Sequence, residues 1–155
     1  MKLMLAVALS HGAKLLIMDE ATNGLDPAIK EEMLEYLRQF MLNEEHSILL
    51  SSHLTNDIEK LADYVTYIRE GKIYYTGTKD GLLESFVLVK GKDSSLLGMT
   101  KEKTIGYREN SYGFSALLPQ EYTKELPESF LVEPVTLEDI MIYHNQRRDI
   151  YDAIS

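Results

Sequence analysis

Two short apolar runs, LLIM at residues 15–18 and SILLS at 47–51, are separated by one stretch of helical periodicity. That order constrains the fold more than any other feature. Strand, helix and strand within this length make a βαβ unit, with parallel strands and a right-handed crossover. The first run is short and continuous, as expected of a strand buried on both faces. Asp26 and Pro27 start the helix, since Asp accepts from the orphan amides of a first turn and Pro suits its first position. Behind them Ile29, Met33, Tyr36, Leu37, Phe40 and Met41 share one apolar face of a helix running to about Leu42.

Ligands of parallel α/β sheets sit beyond the carboxyl ends of the strands. The first strand ends at Asp19-Glu20 and the second at Ser51-Ser52-His53. If the strands are neighbours, Asp19, Glu20 and His53 converge at one edge. Asp19 is suited to hydrated Mg²⁺, which takes one or two carboxylates together with water and phosphate oxygens. Glu20 can orient or deprotonate an attacking water, because phosphoryl transfer depends above all on positioning and charge stabilisation. His53 can hydrogen-bond a terminal phosphate. Taken singly, each residue reads better as a loop cap or a surface side chain; the three together, with the sequence around them, point to chemistry.

The remaining chain reads coarsely. Residues 2–11 form the end of a helix, with Gly12 where its C-terminus takes a left-handed residue. The same opening has the look of a signal peptide, but Ser10-His11-Gly12 interrupts its apolar stretch, which then runs on into the acidic motif. It is read as a buried helix, in a chain expected to be cytoplasmic. A short helix is expected at Thr55–Ala62, then strands Tyr64–Arg69 and Lys72–Thr76 joined by a Glu70-Gly71 turn, then a helix over Lys79–Ser85. Short strands come next in VLVKG, TIGYREN and SYGFSALL, with a turn at Asn110-Ser111. Helical periodicity returns in Thr136–Gln146, where Leu137, Ile140, Met141 and His144 share a face. The expected division is an α/β body over 1–88 and a small α+β appendage over 89–155.

Composition narrows the classes. The balance of 16 basic and 25 acidic residues, net −9, disfavours nucleic acid, whose binding rests on Lys and Arg neutralising phosphates. Zero cysteines exclude disulfides and Cys-based metal sites. No apolar run approaches the ~20 residues that span a bilayer.

LLIMDEATNGLDP followed by SILLSSHL closely resembles the second half of an ABC-transporter ATPase subunit, a P-loop NTPase of RecA-like fold. The resemblance implies a Walker B strand ending at Asp19 as the metal residue, with Glu20 the catalytic carboxylate and His53 the switch histidine. It implies a D-loop at Asn23-Gly24-Leu25-Asp26, which places Asn23 and Asp26 against the nucleotide and the partner subunit. DIEKLADYVTYIREGKIYYTG continues the likeness to about residue 85. Ala21 stands where the family usually has Pro. ATP and Mg²⁺ are the implied cofactors. The implied partners are a second ATPase subunit and a transmembrane permease, which holds the subunit at the inner face of the cell membrane. Thr136-Leu137-Glu138-Asp139-Ile140 resembles the closing helix of drug- or peptide-exporting members.

One family feature is missing from these 155 residues. No G-x-x-x-x-G-K-[ST] loop, whose amides and Lys hold the β- and γ-phosphates, occurs. The Gly-Lys pairs at 71 and 91 have Thr66 and Phe86 where the first Gly belongs, and no LSGGQ-like signature is found. By the resemblance the chain starts just after the signature, as a C-terminal fragment. The family's phosphate-loop strand would lie beside Ser47–Ser51; without it that strand presents an unpaired apolar edge, an aggregation hazard. Asp19 and Glu20 would also repel a triphosphate with little positive charge nearby. Three readings stand: a transporter ATPase fragment, a catalytically silent module that docks on an intact ATPase, and, ranked far lower, an unrelated Mg²⁺-dependent hydrolase. The chain alone is expected neither to bind nor to hydrolyse ATP. Equilibrium titration with a labelled ATP analogue checks this, and saturable binding at micromolar affinity would overturn it.

Overall fold

The computed structural model describes residues 7–93, 98 and 102–152, with side chains as far as residue 145. The chain divides into two compact units, residues 1–62 and 63–155.

In the first unit residues 7–10 are helical; residues 2–6 of the expected opening helix lie outside the described residues. Strand β1 (Leu15–Asp19) leads through a loop into helix α1 (Pro27–Met41), and β2 (Ser47–Ser51) then pairs parallel to β1. Helix α2 (Thr55–Leu61) closes the unit. The register runs without a slip from Leu15↔Ser47 to Asp19↔Ser51. Leu16, Ala21, Met33 and Leu37 form the buried core, with Met18, Phe40, Ile48 and Leu50 half-buried against it.

Burial departs from the sequence reading in two ways. β1 is not buried on both faces: Leu15, Ile17 and Leu49 on the far face are 54%, 72% and 62% exposed. Side chains alternate across a strand, so only Leu16 and Met18 of β1 reach the face that packs. On α1 the buried residues are Met33, Leu34 and Leu37, whereas Ile29 and Tyr36 are exposed. The inward stripe is thus narrower and rotated toward Leu34.

In the second unit β3 (Tyr64–Arg69) and β4 (Lys72–Thr78) form an antiparallel hairpin. Glu70 and Gly71 at its turn have φ of 51° and 72°, the left-handed pair whose twist suits a two-residue hairpin. Helix α3 (Lys79–Glu84) starts from Thr78, whose hydroxyl accepts from the Gly81 amide at 3.1 Å. Strands β5 (Phe86–Gly91), β6 (Gly106–Asn110), β7 (Gly113–Pro119) and β8 (Leu131–Glu133) make an antiparallel sheet in the order β6-β7-β5-β8. A 3-10 turn at Gln120–Glu125 and the three-residue β8 are elements the sequence reading does not contain.

Helix α4 (Leu137–Asp152) closes this unit. Its start is a capping box: the Asp139 amide donates to the Thr136 hydroxyl at 3.1 Å, and the Thr136 amide donates to the Asp139 carboxylate at 3.0 Å. Leu137, Ile140, Tyr143 and His144 are buried. A side chain at Gly106 would meet the Tyr143 carbonyl oxygen at 2.3 Å, so only glycine lets β6 and α4 approach this closely.

The sequence reading divides the chain after residue 88; the compact units divide after Ala62. The hairpin belongs with the closing helix, since Arg69 donates to the His144 carbonyl at 2.6 Å and Tyr74 meets the His144 ring edge-on at 4.4 Å. The architecture is therefore α/β with mixed sheets. The expected parallel sheet is one parallel pair, and all other described strands are antiparallel. Among the described residues no helix is long and apolar enough to cross a membrane.

Leu37 is fully buried. Leu37→Ala is expected to destabilise the first unit by about 2–5 kcal/mol, while Leu42→Ala at an exposed position stays within about 0.5 kcal/mol. Urea unfolding of the two variants checks the contrast.

Candidate functional site

The parallel register sets Asp19 opposite Ser51 at the carboxyl ends of β1 and β2. The Ser51 hydroxyl donates to Asp19 Oδ1, and the Glu20 amide donates to the Ser51 carbonyl at 3.0 Å. Glu20 turns its carboxylate toward the chain leaving β2. Its Oε1 accepts from the His53 amide at 3.1 Å, and its Oε2 lies 2.8 Å from His53 Nδ1. Asp19, Glu20 and His53 thus meet at one end of the strand pair. The Glu20 and His53 side chains remain 38% and 58% exposed, so the pair adds little stability, about 0–1 kcal/mol.

Glu20 has φ of 46°. A non-glycine residue in this left-handed region costs about 1–3 kcal/mol and persists only where the surroundings hold it. Here the amide bonds to Ser51, and the Asn23 amide bonds back to the Glu20 carbonyl at 3.1 Å. Asn23 itself is exposed. Asp26 caps α1, its Oδ1 accepting from the Ala28 amide at 2.9 Å, with Pro27 at the first helical position. Neither Asn23 nor Asp26 has a hydrogen bond to His53.

Beneath this loop lies a polar group that the sequence reading misses. Thr22 is fully buried and Asp57 is 2% exposed. The Thr22 hydroxyl donates to Asp57 Oδ2 at 2.6 Å, and Lys30 Nζ lies 3.2 Å from the same oxygen. Farther along the same helices, the hydrogen bond from Lys60 lowers the pKa of the Glu31 carboxyl on the exposed surface.

Known proteins are similar to parts of this chain. A lantibiotic transport ATP-binding protein, SrtF of Streptococcus pyogenes, is 42% identical over 80 residues, covering 52% of this chain and 34% of that protein. A bacitracin transport ATP-binding protein, BcrA of Bacillus licheniformis, is 43% identical over 72 residues, 46% of this chain and 24% of the other. An uncharacterized ABC transporter ATP-binding protein of Bacillus subtilis, YdbJ, is 29% identical over 139 residues, 90% of this chain and 41% of the other. This chain belongs to the ABC-transporter ATP-binding family. It spans 24–41% of the length of these relatives and covers part of the ATPase domain. No family model matches it. A solved ABC transporter in an inward-facing conformation overlaps 74% of this chain and 44% of its own, at 18% identity and a TM-score of 0.48; the sequence relatives carry the assignment.

Within this ABC-family chain, no group of three or more metal-binding side chains gathers among the described residues. Asp19 offers one carboxylate, which fits an ion that takes most of its ligands from phosphate and water and does not fit a cation held by protein alone. The Ser51 hydroxyl on Asp19 was open to anticipation, because a parallel register sets the two strand ends side by side. Thr22 and Asp57 gave no such signal, being ordinary polar residues in a loop and a short helix.

Asp26→Ala removes the acceptor at the start of α1. It is expected to cost about 0.5–2 kcal/mol, read as a lower thermal midpoint, whereas Asp26→Asn keeps most of the stability.

Proposed function

We propose that this chain is the part of an ABC-transporter ATP-binding subunit that brings the metal-binding carboxylate, the water-activating carboxylate and the γ-phosphate histidine to the nucleotide. The observation that carries the reading is the Glu20–His53 contact across the ends of two parallel strands, 2.8 Å from Oε2 to Nδ1. Asp19, oriented by Ser51, would hold Mg²⁺, which would supply neutralisation of developing phosphate charge. Glu20 orients the attacking water and accepts its proton. His53 donates to the γ-phosphate. For that, the phosphate and water enter between groups that touch each other in this structure. Asn23 and Asp26 sit on the loop directed at the nucleotide and a second ATPase subunit. The partner permease anchors the complex at the inner face of the cell membrane and couples hydrolysis to transport.

These roles require a phosphate-gripping loop that the 155 residues do not contain. Sequencing the DNA upstream of the Met1 codon tests whether one is joined to them. An open frame encoding G-x-x-x-x-G-K-[ST] and a signature supports the reading. In that continuous chain Glu20→Gln should lower kcat by about 10²–10⁴-fold with little change in the KM for ATP. An in-frame stop directly upstream favours the second reading, a catalytically silent interaction module, as would hydrolysis indifferent to Glu20→Gln.

A further inference from the structure

We propose that Thr22, Asp57 and Lys30 are positioning residues that clamp the loop after Glu20 to the helix after His53, and so set the Glu20–His53 spacing. The proposal rests on the catalytic reading of Glu20 and His53 and adds the buried device that holds them.

Thr22 follows Glu20 by two residues and Asp57 follows His53 by four, so each stands just behind one member of the exposed pair. A carboxylate 2% exposed is unfavourable unless paired and hydrogen-bonded. Asp57 has both, with Thr22 at 2.6 Å and Lys30 at 3.2 Å on one oxygen. Lys30 belongs to α1, so a single carboxylate ties the loop, α1 and α2 together. The path back to His53 is short and bonded throughout: the Asp57 amide donates to the Leu54 carbonyl at 3.0 Å, and the Leu54 amide donates to the Ser52 hydroxyl at 3.0 Å. On the other side the Asn23 amide returns to the Glu20 carbonyl. A buried ion pair is a weak source of stability compared with apolar residues of the same volume. Its value here is geometric, since the left-handed Glu20 needs surroundings that over-determine it.

The chain has no cysteine, so a Glu20→Cys, His53→Cys double variant carries the only two thiols. Dibromobimane bridges two close thiols and fluoresces fully once both are joined, so its rate reads how firmly the two segments are held together. Adding Thr22→Val or Asp57→Asn should slow bridging by about tenfold, the scale of one lost buried hydrogen bond, under conditions where circular dichroism reports a folded chain. Thr22→Ser restores the hydroxyl and should restore the rate. Bridging at the parental rate in both variants, with only the urea midpoint lowered, would overturn the proposal. Should Asp57→Asn not fold, Thr22→Val against Thr22→Ser decides by the same rates. Bridging needs no nucleotide, so failure of the ATPase reading leaves this result standing, and the reverse.

Discussion

The parallel pairing of β1 with β2 is the constraint from which the site arises. With Asp19 opposite Ser51, the two strands end together and their next residues turn out at the same edge. A slip of one residue in such a ladder exchanges its two faces. Leu16 and Met18 would leave the core, and Glu20 would no longer bond to Ser51. The connection through α1 joins the two parallel strands, and the packing of Met33 and Leu37 against Leu16 of β1 holds the register.

The polar interior of the same unit works against ordinary expectations for stability. A leucine-rich filling would tolerate many arrangements of the loop between β1 and α1. The Asp57 oxygen shared by Thr22 and Lys30 admits one, because a hydrogen bond and an ion pair must both close on it. Directional contacts below the surface therefore support an exposed pair whose own contact contributes little. The proposed catalytic geometry depends on the residues beneath it as much as on those that form it.

Much of this was legible in the sequence. The βαβ unit, the hairpin and the closing helix follow from the spacing of apolar residues and from Asp26-Pro27, Glu70-Gly71 and Thr136. Asp19, Glu20 and His53 could be placed together because strand ends in a parallel pair are neighbours by construction. Periodicity failed where it assigns faces by hydrophobicity alone. Tyr36 and Ile29 look like core residues yet are exposed, while Leu34, one step outside the chosen stripe, is fully buried. Leu15 and Ile17 are as apolar as Leu16 but lie on the other side of the pleat or at its end. β8 is three residues long and partners β5 from far along the chain, which leaves no local trace. The boundary after residue 88 followed a change of character in the sequence, whereas compactness follows Arg69 and Tyr74 to His144.

The approach of β6 to α4 is governed by backbone atoms. The Tyr143 carbonyl occupies the space that a methyl group on residue 106 would fill, so the distance between strand and helix does not depend on the size of any side chain there. Tyr143 then reaches across to Ser115 through its hydroxyl at 2.6 Å. A side chain of any size at position 106 would have to push the strand off the helix, so this one residue sets how near the two can lie.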